Sequence, residues 1–164
     1  MARRKIVGVL GRGEGASDGD VAMAYELGKL IAAQGWVLLS GGRAVGVMDS
    51  VNKGAKSARG LTIGIIPRRG DAISEAVDIA VVTDMGSARN NINVLSSDAL
   101  IACGSGGAGT ASEIALALKA NKHVVLLDEC DEGQAYFATL GRDLLHIAAT
   151  PAQAVRIVSA LFAE

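Results

Sequence analysis

The chain alternates short apolar runs with longer stretches in which apolar residues recur at helical spacing. Runs that are apolar without alternation read as strands buried on both faces. They lie at Lys5–Leu10, Trp36–Leu39, Leu61–Ile66, Ile79–Val82, Ala99–Cys103 and His123–Leu127, with a shorter candidate at Leu144–Ala148. Helices are predicted over 20–34, 45–58, Ser87–Leu95, Thr110–Ala120 and from Pro151 onward. Val21, Tyr25, Leu27, Leu30 and Ile31 mark one face of the first, and Asp18 or Asp20 is its candidate cap. Val47, Val51, Ala55 and Ala58 line the second. Asn90, Asn91 and Asn93 weaken the third. Thr150 and Pro151 form the cap and first turn of the last, whose buried face takes Ala154, Ile157, Val158 and Leu161. Pro67 stops the third strand, and 68–78 reads as a polar connection with a short helix. Strands alternating with helices give an α/β sandwich around a mostly parallel sheet of six or seven strands. A length of 164 residues fits one domain, 1–164.

Composition sharpens the picture at the strand ends. The chain has 21 glycines, and they cluster where apolar runs stop, at 11–15, 41–46 and 104–109. In open parallel sheets, ligands bind beyond the carboxyl ends of the strands. Three glycine-rich loops at such ends are the clearest functional signal in the pattern. Aromatics make up only 3% of residues, so Val, Ile, Leu and Ala must fill the core. The scarcity of aromatics, with no basic runs beyond Arg3-Arg4-Lys5 and Arg68-Arg69, gives nucleic-acid binding little support. Two cysteines and two histidines without metal-ligand spacing do not make a zinc site. Cys103 ends an apolar strand and reads as a buried, inert thiol. The apolar segment after Arg3-Arg4 is too short for a secretory signal, and no run of 18 apolar residues occurs, so a cytoplasmic protein without a membrane span is expected. Residues 1–70 carry eleven basic against five acidic side chains, and residues 71–164 carry five against twelve. That asymmetry fits an anion site built from the first half, or a chance distribution over a solvated surface.

Candidate chemistry follows from the loops. Gly104-Ser105-Gly106-Gly107-Ala108-Gly109 has the spacing of a phosphate turn, in which missing side chains let backbone N–H groups approach an anion at a helix start. Asp128 follows at the end of the next strand and superficially completes a dinucleotide fingerprint. That fingerprint belongs to the first strand of its fold, whereas this turn follows the fifth. No Walker-type motif is present. Arg12, Arg43, Arg68, Arg69 and Arg89 lie in or after loops on the same presumed edge, and arginine holds phosphate through paired hydrogen bonds. Arg89 stands out because a cation at a helix start opposes the helix dipole unless an anion answers it. Glu113 is either half of a Thr110-to-Glu113 capping box or a ligand-orienting carboxylate.

Three segments then resemble a known family. Ser40-Gly41-Gly42-Arg43-Ala44-Val45-Gly46-Val47-Met48, Gly64-Ile65-Ile66-Pro67 and Gly106-Gly107-Ala108-Gly109-Thr110-Ala111-Ser112-Glu113 are similar to the LOG superfamily, once mislabelled lysine decarboxylases and related to the DprA/Smf proteins. The resemblance implies a Rossmann-like fold and a homo-oligomer, dimer or tetramer. The enzymes of that superfamily are phosphoribohydrolases acting on cytokinin nucleoside 5′-monophosphates, with the motif Pro-Gly-Gly-x-Gly-Thr-x-x-Glu and a preceding Arg-Lys pair. Here Ser105 replaces the motif's proline, Asn90 replaces the lysine after Arg89, and Arg43 replaces a glycine of the first motif. These variants are more similar to a branch outside the enzymes that contains the molybdenum cofactor carrier proteins. The resemblance therefore implies binding and protection of a phosphorylated small molecule, with molybdenum cofactor as ligand and molybdoenzymes as recipients. Its alternatives are a nucleoside 5′-monophosphate hydrolase using Arg89 and Glu113, or a nucleotide sensor without turnover. Loop position and resemblance together give the candidate ligand-binding set: Gly11, Arg12 and Gly13 from the first loop, with Gly41, Gly42, Arg43, Gly46, Arg89, Gly106, Gly107, Gly109, Thr110 and Glu113.

Overall fold

The computed structural model describes residues 3–163. Seven parallel strands form one sheet: β1 (Ile6–Gly11), β2 (Val37–Ser40), β3 (Thr62–Ile66), β4 (Ile79–Val82), β5 (Ala99–Cys103), β6 (Val124–Leu127) and β7 (Leu145–Ala148). Six α-helices flank it: α1 (Asp18–Ala33), α2 (Gly46–Ser57), α3 (Asn90–Ser96), α4 (Ala108–Lys119), α5 (Asp131–Gly141) and α6 (Pro151–Leu161). Sheet order is β4-β3-β2-β1-β5-β6-β7, so the winding direction reverses between β1 and β5. Among the described residues no helix is long and apolar enough to cross a membrane.

The unalternating strands serve two cores because successive side chains point to opposite faces. Ala99, Ile101 and Cys103 of β5 join Val7, Val9, Val125 and Leu127 under α1, α2 and α6. Leu100 and Ala102 join Leu10, Val124 and Leu126 under α3, α4 and α5. This is the α/β sandwich that the sequence pattern implied, in the Rossmann-like three-layer form that the family resemblance implied. One apolar run departs from the buried pattern. Ile79, Val81 and Val82 of β4 are each more than 40% exposed. β4 is an edge strand, reached from β3 by a crossover that contains no helix, so no helix among the described residues covers it.

That crossover corrects the short helix expected in 68–78. It is an irregular connection with two turns, anchored between them by an antiparallel bridge between Arg43 and Ile73, with Ala44 N–H donating to Ala72 O and Ser74 N–H to Gly42 O. The cap of α1 is Ser17 rather than an aspartate. Its side chain accepts from Asp20 N–H at 3.0 Å while Asp20 Oδ2 accepts from Ser17 N–H at 3.1 Å, a complete capping box. The predicted helix at Ser87 begins instead as a 3₁₀ turn over Gly86–Arg89, with α3 following. Helix α5 carries only a faint sequence pattern, since Phe137 and Gly141 alone of its residues are buried. Thr150 and Pro151 start α6 as expected.

Helices α1 and α2 pack backbone to backbone. A Cβ at Gly28 would lie 2.1 Å from Val51 O, and one at Gly54 would lie 2.0 Å from Tyr25 O. Alanine at either site must push the helices apart, which outweighs the helix propensity gained. Gly28→Ala or Gly54→Ala is expected to cost about 2 kcal/mol, read as a lowered urea midpoint at unchanged slope.

Candidate functional site

The reversal between β1 and β5 leaves a crevice at their carboxyl ends, where Gly11 sits in register with Cys103. The three glycine-rich loops meet there. Gly46 has φ +55, and a Cβ on it would lie 2.2 Å from Gly13 O, so the first two loops touch through backbone. Val47 N–H donates to Arg12 O at 3.0 Å across that seam. The Arg12 guanidinium reaches Ser105 O and Gly106 O at 3.5 and 3.4 Å, tying the first loop to the third.

A cleft of about 200 Å³ opens at this junction. It is lined by Gly11, Arg12, Gly13, Gly41, Arg43, Arg89, Gly107, Gly109, Thr110 and Glu113 from the predicted set. Gly42, Gly46 and Gly106 stand outside the lining and shape the loops instead. A Cβ at Gly42 would strike Gly64, and one at Gly106 would strike the Thr110 side chain. A second groove of about 400 Å³ continues from the first, sharing Glu14, Arg43, Arg89, Asn90 and Gly109 and adding Arg68. Arg69, Ser105, Cys103 and Asp128 do not line either. Ser105 Oγ accepts from Cys130 N–H at 3.0 Å, and burial pushes the Cys103 thiol up to about 12.

Arg89 forms the floor. It is 9% exposed, and its Nε has no hydrogen-bond partner. Gly41 makes room for it: a Cβ there would lie 2.6 Å from Nη1. Burial lowers the Arg89 pKa from its ordinary value, the Glu113 charge opposes the shift, and a guanidinium starting so high keeps its proton. The other two arginines of the first loops are already engaged. Arg43 pairs with Glu14 at 2.6 Å, a bond that holds the Glu14 carboxyl below its ordinary value, while Arg12 bonds backbone carbonyls.

Glu113 corrects the capping-box expectation. The cap of α4 is Gly107, without a side-chain hydrogen bond, and Glu113 points inward at 8% exposure. Its Oε1 accepts from Asn93 Nδ2 at 2.7 Å. Asn93 is 2% exposed, and its Oδ1 is unpartnered. Burial raises the Glu113 pKa, against the lowering effect of the Asn93 hydrogen bond and the Arg89 charge. Sequence reasoning missed Asn93, Asn90, Met48 and Glu14 as lining residues. The spacing of Arg89 and Asn93, four residues apart in a helical stretch, was the available signal, because i and i+4 share a face.

A raised carboxyl pKa fixes the sign of a pH effect. The contribution of a neutral Glu113 is fully present below the ordinary value near 4.5 and is lost as pH rises through the raised folded value. Glu113→Gln should remove this loss. Thermal melts of the ligand-free chain and the variant between about pH 4 and 8 should diverge in favour of the variant as pH rises.

Known structures share the whole architecture. The molybdenum cofactor binding protein of the phototrophic bacterium Rippkaea orientalis superposes with a TM-score of 0.95 at 52% identity, covering 99% of each chain. The molybdenum cofactor carrier protein of Chlamydomonas reinhardtii superposes with a TM-score of 0.95 at 50% identity, over 99% of this chain and 100% of that one. A cytokinin riboside 5′-monophosphate phosphoribohydrolase of Mycobacterium tuberculosis is 36% identical over 95 residues, which span 56% of this chain and 50% of that protein. The model of the SLOG cluster4 family matches residues 4–155, and the chain belongs to that family, within the superfamily its glycine and Arg–Glu motifs resemble.

Proposed function

We propose that the protein binds and protects a phosphorylated small molecule, that this molecule is molybdenum cofactor, and that it is carried rather than transformed. The observation that carries the reading is Arg89: a buried guanidinium with an unpartnered Nε at the meeting point of three glycine loops. A buried charge is costly unless it is paired, so the site is built for an anion. The turn at Gly107 supports the same reading. Helix α4 begins there without a side-chain cap, Gly107 and Gly109 face open space, and the first N–H groups of a helix have no intrahelical partner. The similarity to the carrier and binding proteins of Chlamydomonas and Rippkaea, at half identity over nearly the full chain, supports the cofactor as ligand.

The residues fit such a cargo. Arg89 and the α4 N-terminus hold its phosphate, the continuing groove with Arg68 accommodates the remainder, and Met48 offers the apolar surface in a lining without aromatic rings. The cargo supplies the metal chemistry to recipient molybdoenzymes, while this chain supplies only a shielded seat. In this reading the protein is cytoplasmic, folds as one domain over 1–164 and works as a homo-oligomer, for which the exposed Ile79, Val81 and Val82 of β4 offer an apolar edge.

A second reading keeps the Arg89–Glu113 pair for hydrolysis of a nucleoside 5′-monophosphate, and the 36% identity to the mycobacterial enzyme favours it. Against it, the Glu113 carboxylate is engaged by Asn93 Nδ2 rather than free to activate water.

Gentle purification from the native cell, followed by denaturing release, mass spectrometry and metal analysis, should yield a pterin phosphate and molybdenum in stoichiometric ratio. A nucleotide without metal would overturn the cofactor assignment. Arg89→Ala should weaken retention of the ligand by roughly 10- to 100-fold, the scale of a charge-assisted hydrogen bond. Incubation with nucleoside 5′-monophosphates should release no free base, and release that disappears in Glu113→Ala would establish the hydrolase instead.

A further inference from the structure

Two residues that line the cleft each carry a buried polar atom without a partner, and the two atoms ask for opposite things. Arg89 Nε is a donor that needs an acceptor, and Asn93 Oδ1 is an acceptor that needs a donor. Both residues line the same cleft and lie four apart on consecutive helical turns. A phosphate answers the first. It does not answer the second, because a phosphate dianion only accepts.

The orientation of Asn93 is not arbitrary. A carboxylate only accepts, so Glu113 takes the amide NH₂ at 2.7 Å and turns the carbonyl oxygen away from itself. Glu113 thus acts as a positioning residue for Asn93. Buried polar groups are rarely left unpaired in a finished complex, and a site built around such a group rejects analogues that cannot satisfy it.

We propose that Asn93 is a specificity-determining residue of the cleft: its carbonyl oxygen accepts a hydrogen bond from an N–H or O–H group of the ligand, beside the anionic group taken by Arg89. The inference rests on the reading of the cleft as a site for a phosphorylated small molecule and narrows the ligand class. The ligand must join an anion to a nearby donor, as a phosphorylated pterin or nucleoside does and a simple phosphate ester does not.

The test uses calorimetric titration of the full chain near pH 8 with two probes. Guanosine 5′-monophosphate joins a phosphate to hydroxyl and ring N–H donors, while methyl phosphate dianion carries no donor. Asn93→Leu is expected to weaken the nucleotide roughly tenfold and to leave methyl phosphate within about twofold. A thermal melt and far-UV circular dichroism of Asn93→Leu guard against a folding defect, and its retained binding of methyl phosphate reports an intact cleft. Equal loss of both probes in Asn93→Leu, or no loss of either, overturns the role of Asn93 and leaves the phosphate reading standing. Failure of methyl phosphate to bind the unaltered chain overturns the phosphate reading and this inference with it.

Discussion

The site depends on one constraint: a guanidinium has been placed where water scarcely reaches it. Arg89 is 9% exposed with its Nε unbonded, and moving a charge into such surroundings costs several kcal/mol unless something answers it. Glu113 answers through its field rather than through contact, since no ion pair joins the two residues among those of the described chain. Much else in the cleft follows from housing this cation. Gly41 lacks a side chain where the guanidinium lies, and Arg12 and Arg43 are drawn to other partners, which leaves Arg89 as the buried cation without a hydrogen bond at Nε.

The surrounding fold supplies the rigidity for that placement. The crevice exists because the sheet winds one way from β1 to β4 and the other way from β5 to β7. Its walls are loops, yet they are not loose. The second loop leans on the first through Gly46, the first is tied to the third by Arg12, and the third is wedged by Asp20, whose carboxylate lies where a Cβ on Gly104 would be. Asp20 is also the residue that closes the capping box of α1. The start of one helix and the turn of another strand are thereby locked together below the cleft.

Glycine plays two parts in this arrangement, which spacing alone does not separate. Gly107 and Gly109 face open space and leave backbone accessible to a ligand, whereas Gly42, Gly46 and Gly106 are required by neighbouring protein atoms. All five belong to the motifs that carry the family resemblance. Only the first two line the cleft.

Much of the architecture was legible in the chain, because strands buried on both faces must be apolar at successive positions and the helices between them must be amphipathic. Six apolar runs and the glycine clusters behind them placed the sheet, its parallel class and the three loops. The edge strand β4 was not distinguishable from the buried ones, since Ile79-Ala80-Val81-Val82 reads like any core strand and its exposure is decided by the absence of a covering helix. Helix α5 was missed because it buries little. Arg89 and Glu113 stood out by motif, but the roles of Asn93 and of the Glu113 carboxylate did not. An asparagine in a short helix looks like a helix weakener, and only the packing of α3 against α4 brings it to Glu113, 20 residues on, with its carbonyl oxygen left unanswered. Local chemistry is written along the chain. Which polar atoms end up buried without a partner is decided by how distant segments pack.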